Sequence, residues 1–158
     1  NLVVPQRRNR IFIVGFKDTA DFEFPVIEKQ IRKLKECLEP DVDEKYTLGR
    51  TWDFLQEHKL KHREKGHGFG YGLVSPEETR TRTLTSRYCK DGSEILLEQT
   101  GRNPRKLTPR ECARLMGFPE EFNIPVSDTQ AYKQFGNAVV PPIVEPIAKQ
   151  MLEVISDL

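Results

Sequence analysis

Arginine and hydroxyl side chains alternate in one short stretch of this chain: Arg80, Arg82 and Arg87 are threaded among Thr81, Thr83, Thr85 and Ser86, ahead of Tyr88 and Lys90. A planar guanidinium suits phosphate oxygens and guanine edges, and hydroxyls suit phosphates and base edges. An ordinary solvated sheet face can carry the same residue types. Its neighbours strengthen the polyanion reading: a second basic cluster lies at Arg7, Arg8 and Arg10, and a run GHGFGYG places glycines at 66, 68, 70 and 72. A glycine-rich backbone can approach a duplex closely. A phosphate-cradling loop would need a strand before it and a helix after it. Here the preceding residues read as helix and the following ones as strand, so the run is a flexible recognition loop or a packing turn.

Other reactive residue types lead to less. His58 and His62 stand four apart and His67 five further on. One helical face could present two of them to a metal, but no third ligand stands at a convincing position, so a solvated face is expected and no metal. Cys37, Cys89 and Cys112 are odd in number and include no Cys-x-x-Cys pair, which fits a reducing compartment rather than a disulfide framework. Cys112 falls on the inner side of a helix, and Cys89 has basic neighbours but no partner base, so neither reads as a catalytic thiol.

The elements that must position these residues follow from periodicity. Arg10 to Phe16 (RIFIVGF) read as a buried strand, and Val26, Ile27, Ile31, Leu34 and Leu38 give a helix over 25–38 that Pro40 ends. A helix is expected over 52–61 with Trp52, Leu55 and Leu60 inward. Strands are expected around a turn at Asp91-Gly92. Thr108, Pro109 and Glu111 form an N-cap, first-turn proline and capping box for a helix closing at Gly117, and FPEEFNIP is an irregular link. A final helix over 141–155 carries Ile143, Val144, Ile147, Met151 and Ile155 on one side. It is preceded by a Phe135-Gly136-Asn137 turn and a small apolar run, a combination suited to holding something rather than merely starting a helix.

Bulk properties set bounds. With 158 residues and 37% hydrophobic content the chain is one ordinary domain with a lean core. Charged residues make up 31% but the net charge is only +1, so nucleic-acid binding must rest on local patches. No apolar run approaches the roughly 20 residues of a membrane span, and no signal peptide is visible. The first residue is Asn1 rather than Met, which suggests a piece of something longer.

Three stretches together resemble the C-terminal portion of a DNA cytosine-5 methyltransferase. PQRRNRIFIVGF resembles the family's Q-x-R-x-R block and the strand after it, RKLTPRECARLMGFP the helix that follows the target-recognition region, and QAYKQFGNAVVPPIVEPIA the closing Q-x-G-N-[AS]-V-x-P block with its helix. The middle segment is similar to the recognition region of bacterial Dcm-like enzymes, which suggests a CCWGG-type site. The resemblance implies an α+β chain: a small, irregular β-rich recognition lobe, flanked by a strand and helices that belong to a Rossmann-like methyltransferase domain. Residues 1–24 would end the catalytic domain, 25–104 would form the recognition region, and 105–158 would return to the cofactor side. By the same resemblance Arg8 and Arg10 hold the flipped target cytosine and its phosphate. Asn137, Ala138 and Val139 touch S-adenosylmethionine. Gln6, Arg82, Thr83, Leu84, Thr85, Ser86, Arg87 and Tyr88 are the candidates for DNA contact.

The departures matter equally. The family's Pro-Cys nucleophile and Glu-Asn-Val glutamate are absent from these residues, and Phe69-Gly70-Tyr71-Gly72 mimics the family's F-x-G-x-G cofactor loop only superficially and out of place. The expectation is therefore a fragment, or the smaller partner of a split enzyme, inactive alone. Its partners would be double-stranded DNA and an N-terminal catalytic half, in cis or as a separate subunit, in the bacterial cytoplasm at the nucleoid and away from membranes. The unpaired apolar faces of RIFIVGF and the last helix would then seek a cover. A stand-alone DNA-binding or regulatory module is the competing reading, and a purely structural interaction domain a third.

Overall fold

The computed structural model describes residues 3–68 and 70–156; Phe69, part of the apparent cofactor-loop mimic, lies outside them. Four α-helices are formed among the described residues: α1 (Arg50–Glu64), α2 (Pro109–Leu115), α3 (Asp128–Asn137) and α4 (Pro141–Ser156). One small sheet is formed, in which β1 (Leu73–Val74) runs parallel to β2 (Leu96–Gln99), and β2 runs antiparallel to β3 (Arg102–Lys106). The architecture is the expected α+β mixture. One apolar core draws residues from all along the chain, from Val3 and Leu34 through Leu84 and Ile95 to Phe135 and Val140.

Two buried tyrosines hold the centre together. Their rings meet edge to face at 5.2 Å. The Tyr88 hydroxyl donates to the Ile95 carbonyl at 2.7 Å and accepts from the Leu107 amide at 2.8 Å, while the Tyr132 hydroxyl donates to the Leu107 carbonyl at 2.7 Å. Buried hydroxyls cost stability unless paired, and both are paired.

The capped helix forms as its sequence requires. The Thr108 hydroxyl accepts from the Glu111 amide, and the Glu111 carboxylate accepts from the Thr108 amide. That carboxylate also takes both guanidinium nitrogens of Arg105, at 2.7 and 2.8 Å, and the Glu39 amide at 2.9 Å. The chain reverses after α2 at Gly117, whose φ is +80°. Cys112 is buried in this helix as expected and Cys37 beneath it. All three cysteines are free thiols. Burial pushes the Cys37 thiol up to about 11.

Elsewhere the structure departs from the periodicity. Residues 25–38 form no α-helix, only a 3-10 turn at Leu34–Cys37. The amides of Leu34 and Lys35 donate to the carbonyls of Glu78 and Pro76 at 2.8 Å each, so donors that a helix would use are spent on a distant segment. No strand pair surrounds Asp91-Gly92. Residues Ser86–Cys89 coil into a 3-10 turn because the Thr85 hydroxyl accepts from the Arg87 amide, a local bond that competes with a ladder. The hairpin closes instead at Thr100-Gly101, between β2 and β3. α1 extends the expected 52–61 helix at both ends and buries Leu55, but Leu60 is exposed rather than inward. RIFIVGF is extended yet pairs with no strand among the described residues. Its alternation survives: Phe12, Val14 and Phe16 are half-buried, while Ile11 and Ile13 are about nine-tenths exposed, at 89% and 91%. α4 starts at Pro141 as expected, but Ile147 is its single buried residue and Ile155 is exposed.

The expected Phe135-Gly136-Asn137 turn is the last turn of α3, a helix that the periodicity did not signal and that Ser127 caps. Gly136 is there for contact, not for turning. A Cβ at this position would stand 2.2 Å from both the Ser86 amide nitrogen and the Thr85 carbonyl carbon, so only glycine lets α3 lie directly on the backbone ahead of the Ser86–Cys89 turn.

Candidate functional site: a composite nucleic-acid and cofactor face

Three segments far apart in sequence converge on one side of the molecule. The first is Gln6 to Arg10. Gln6 bridges to Thr81 in an isolated parallel pair, with the Arg7 amide donating to the Thr81 carbonyl and the Thr81 amide to the Pro5 carbonyl. The Thr83 hydroxyl donates to the Arg7 carbonyl. The arginine-threonine stretch, the second segment, is therefore laid alongside the first basic cluster. The third segment is the end of α3 and the run after it.

Arg8 joins all three. Its Nη1 donates to the Leu84 carbonyl at 2.8 Å, and its Nη2 to the carbonyls of Gly136 at 3.1 Å and Ala138 at 2.5 Å. Burial first, and the nearby Arg10 second, hold its pKa below the ordinary arginine value. Beside it opens a cavity of about 460 Å³, lined by Arg8, Arg10, Phe12, Phe24, Val139 and Ile143 among others. The Arg8 Nε is buried and has no hydrogen-bond partner.

The sequence-predicted site residues divide by exposure. Arg10 is exposed, and its Nη1 donates only to the neighbouring Asn9 carbonyl, at 2.7 Å. Arg82 and Arg87 are exposed and Thr83, Thr85 and Ser86 half-buried, all on the outer side of the second segment. Arg82 also donates to the Gly70 carbonyl, which ties the glycine-rich loop to this face. Asn137 and Val139 are exposed and Ala138 half-buried, and of the three Val139 lines the cavity. Three candidates for DNA contact are corrected. Gln6, Leu84 and Tyr88 are fully buried and have no surface to offer a duplex. The Gln6 amide nitrogen donates to the Leu115 carbonyl at 3.0 Å and its oxygen accepts from the Leu84 amide at 3.2 Å, so it is a strut under the stretch it was expected to help read. Glu94, which the sequence did not single out, accepts from the Thr85 hydroxyl at 2.6 Å and fixes that side chain from below.

No cluster of three or more potential metal ligands occurs among the described residues. The rings of His58 and His62 lie against each other, 4.2 Å between centroids. Among the described residues, no helix is long and apolar enough to cross a membrane.

The family model described as C-5 cytosine-specific DNA methylase matches residues 1–153, nearly the entire chain. The chain belongs to that family. Among its relatives, the type II methyltransferase M.DsaV of Dactylococcopsis salina is 52% identical over 157 residues, covering 96% of this chain and 45% of the relative. The DNA-cytosine methyltransferase of Escherichia coli strain K12 is 46% identical over 177 residues, covering 92% and 38%. The chain thus spans less than half the length of these two relatives. Among solved structures, the Entamoeba histolytica methyltransferase EhMeth aligns with a TM-score of 0.70 at 19% identity, over 96% of this chain and 50% of that one, a likeness of fold. In this cytosine methylase chain, the segments carrying the family resemblance are the ones that Arg8 and Gln6 bring together. The acceptors they use, the carbonyls of Leu84, Gly136 and Ala138, had no sequence signal, because a backbone acceptor looks the same in every residue.

Proposed function

We propose that this chain forms the target-reading and C-terminal portion of a DNA (cytosine-5) methyltransferase that acts on a cytosine turned out of its duplex. The observation that carries the reading is the convergence of Gln6–Arg10, Thr83–Arg87 and Gly136–Val139 through Arg8, in a chain that the family model matches almost throughout. Arg82, Thr83, Thr85, Ser86 and Arg87 face the duplex, with the arginines on phosphates or guanine edges and the hydroxyls filling in between. Arg10 reaches the extruded base. Extrusion is required because carbon 5 is approached from the face of the ring, which stacking hides. A guanidinium beside the cytosine carbonyl stabilises negative charge developing on the ring.

Asn137, Ala138 and Val139 form one flank of the S-adenosylmethionine site. An exposed amide followed by two small apolar side chains, of which Val139 lines a largely apolar cavity, fits the mixed polar and aromatic surface of a nucleoside. The bound cofactor supplies the methyl group. The Pro-Cys nucleophile and Glu-Asn-Val glutamate come from residues outside these 158, in the same chain or on a second subunit. Ile11, Ile13 and the uncovered side of α4 are the surfaces that this catalytic half covers. The setting is the bacterial cytoplasm, at the nucleoid.

The first test is duplex binding as a function of salt. Phosphate contacts release counterions, so affinity should fall steeply and log-linearly with salt concentration. Replacing Arg82 and Arg87 with alanine should flatten that slope by about one unit per lost phosphate contact. Binding that ignores both salt and these substitutions would favour a structural interaction domain instead.

A further inference from the structure

Arg8 and Arg10 belong to one short basic block, yet the structure uses them in opposite ways. Both Nη atoms of Arg8 are engaged with main-chain carbonyls, one on the DNA-facing stretch and two at the end of α3. Arg10 is exposed and bound only to the carbonyl of the residue before it. Resting on the function proposed above, we infer that Arg8 is a positioning residue, a clamp that fixes the DNA-reading segment 83–87 against the cofactor flank 137–139, and that it does not itself contact the target base.

The chemistry favours a clamp. A guanidinium is a rigid planar fork that can serve carbonyls from two segments at once, whereas an ammonium is a point donor on a flexible stem. Hydrogen bonds from a charged donor are worth roughly twice a neutral pair. The two segments already touch, since α3 lies on the Thr85–Ser86 backbone at Gly136. Among the described residues that contact carries no hydrogen bond of its own, and the bonds of Arg8 tie the two segments together. Leu84, whose carbonyl accepts from Arg8, has its amide held by Gln6, so the peptide groups on either side of this residue are each fixed by a member of the same block. Arg8 also borders the cavity, and its Nε is buried without a partner.

The decisive substitution is Arg8→Lys, which keeps the charge and removes the fork; Arg10→Lys is its control. Hydrogen exchange of the isolated chain reads the clamp without requiring activity. Arg8→Lys should speed exchange about tenfold in peptides covering 83–88 and 136–140 together, the loss expected for one or two charge-assisted bonds. Exchange in β2 and β3 should stay unchanged, and Arg10→Lys should alter neither segment. In the enzyme assembled with its catalytic half, Arg8→Lys should raise KM for DNA and for S-adenosylmethionine in parallel, while Arg10→Lys lowers kcat. Unchanged exchange, a change confined to one segment, or acceleration throughout the sheet would each overturn the clamp. Loss of kcat with both KM values intact would instead assign Arg8 to the base. If the exchange result holds but no assembled enzyme methylates DNA, the clamp stands and the proposed function fails.

Discussion

Residues 86–137 and residues 10–31 are both rich in large apolar side chains, but the first region buries most of its own while the second leaves several in solvent. In 86–137 nearly every apolar residue of β2, α2 and α3 is buried, and the buried hydroxyls and the Glu111 carboxylate among them are paired: Tyr88 with Ile95 and Leu107, Tyr132 with Leu107, Glu111 with Arg105, Thr108 and Glu39. In 10–31 the backbone forms neither helix nor strand, and Ile11, Ile13, Val26 and Ile31 stand largely in solvent. An extended, alternating apolar segment without a neighbour is a strand awaiting a sheet. The contrast teaches that residues 86–137 complete their own packing, while the exposed apolar side chains of the 10–31 flank are left uncovered.

The comparison can be broken most forcefully at Gly136. Gly136→Ala would drive a methyl into the backbone of Thr85 and Ser86, and overpacking against main chain cannot relax by a rotamer change. We expect a loss of at least about 3 kcal/mol in urea denaturation, a large share of the total for a domain of this size. Glu111→Ala is expected to be comparable, at about 3–5 kcal/mol, because it strands Arg105 as a buried, unpaired charge. The double replacement Arg105→Met with Glu111→Leu should recover most of that loss, since the pair's desolvation cost disappears with it. At the small end, Ile11→Ser with Ile13→Ser should shift the stability of the isolated chain by no more than about 0.5 kcal/mol, as expected for exposed positions. A large shift there would mean that the flank is already part of the folded core, and the contrast would collapse.

What was legible in the sequence follows the same division of local from distant causes. The capping box at Thr108 and Glu111 and the proline start of α4 are written within a few residues and appear as read. The 25–38 segment has the right periodicity for a helix but loses its amides to Pro76 and Glu78, partners that no local pattern reveals. α3 was hidden because Gly136-Asn137 looks like a breaker, whereas the glycine answers to a backbone lying across the core. The site showed the same limits. Residue type and family resemblance picked out the segments that converge, but not which members are struts. Gln6, Leu84 and Tyr88 carry the right chemistry for DNA contact and are buried by packing from Leu115, Ile95 and Tyr132, which sequence order does not bring near.

The measurement that bears most directly on the whole account is methyl transfer after mixing. The chain would be combined with a catalytic half carrying the Pro-Cys and Glu-Asn-Val blocks, and incorporation of labelled methyl from S-adenosylmethionine into a duplex with a CCWGG-type site would be followed. The account predicts transfer by the mixture, none by either part alone, and its loss when Ile11 and Ile13 of this chain are replaced with serine. Salt-dependent DNA binding without any transfer by the mixture would contradict it, and would leave the chain as a DNA-binding module that takes no part in methylation.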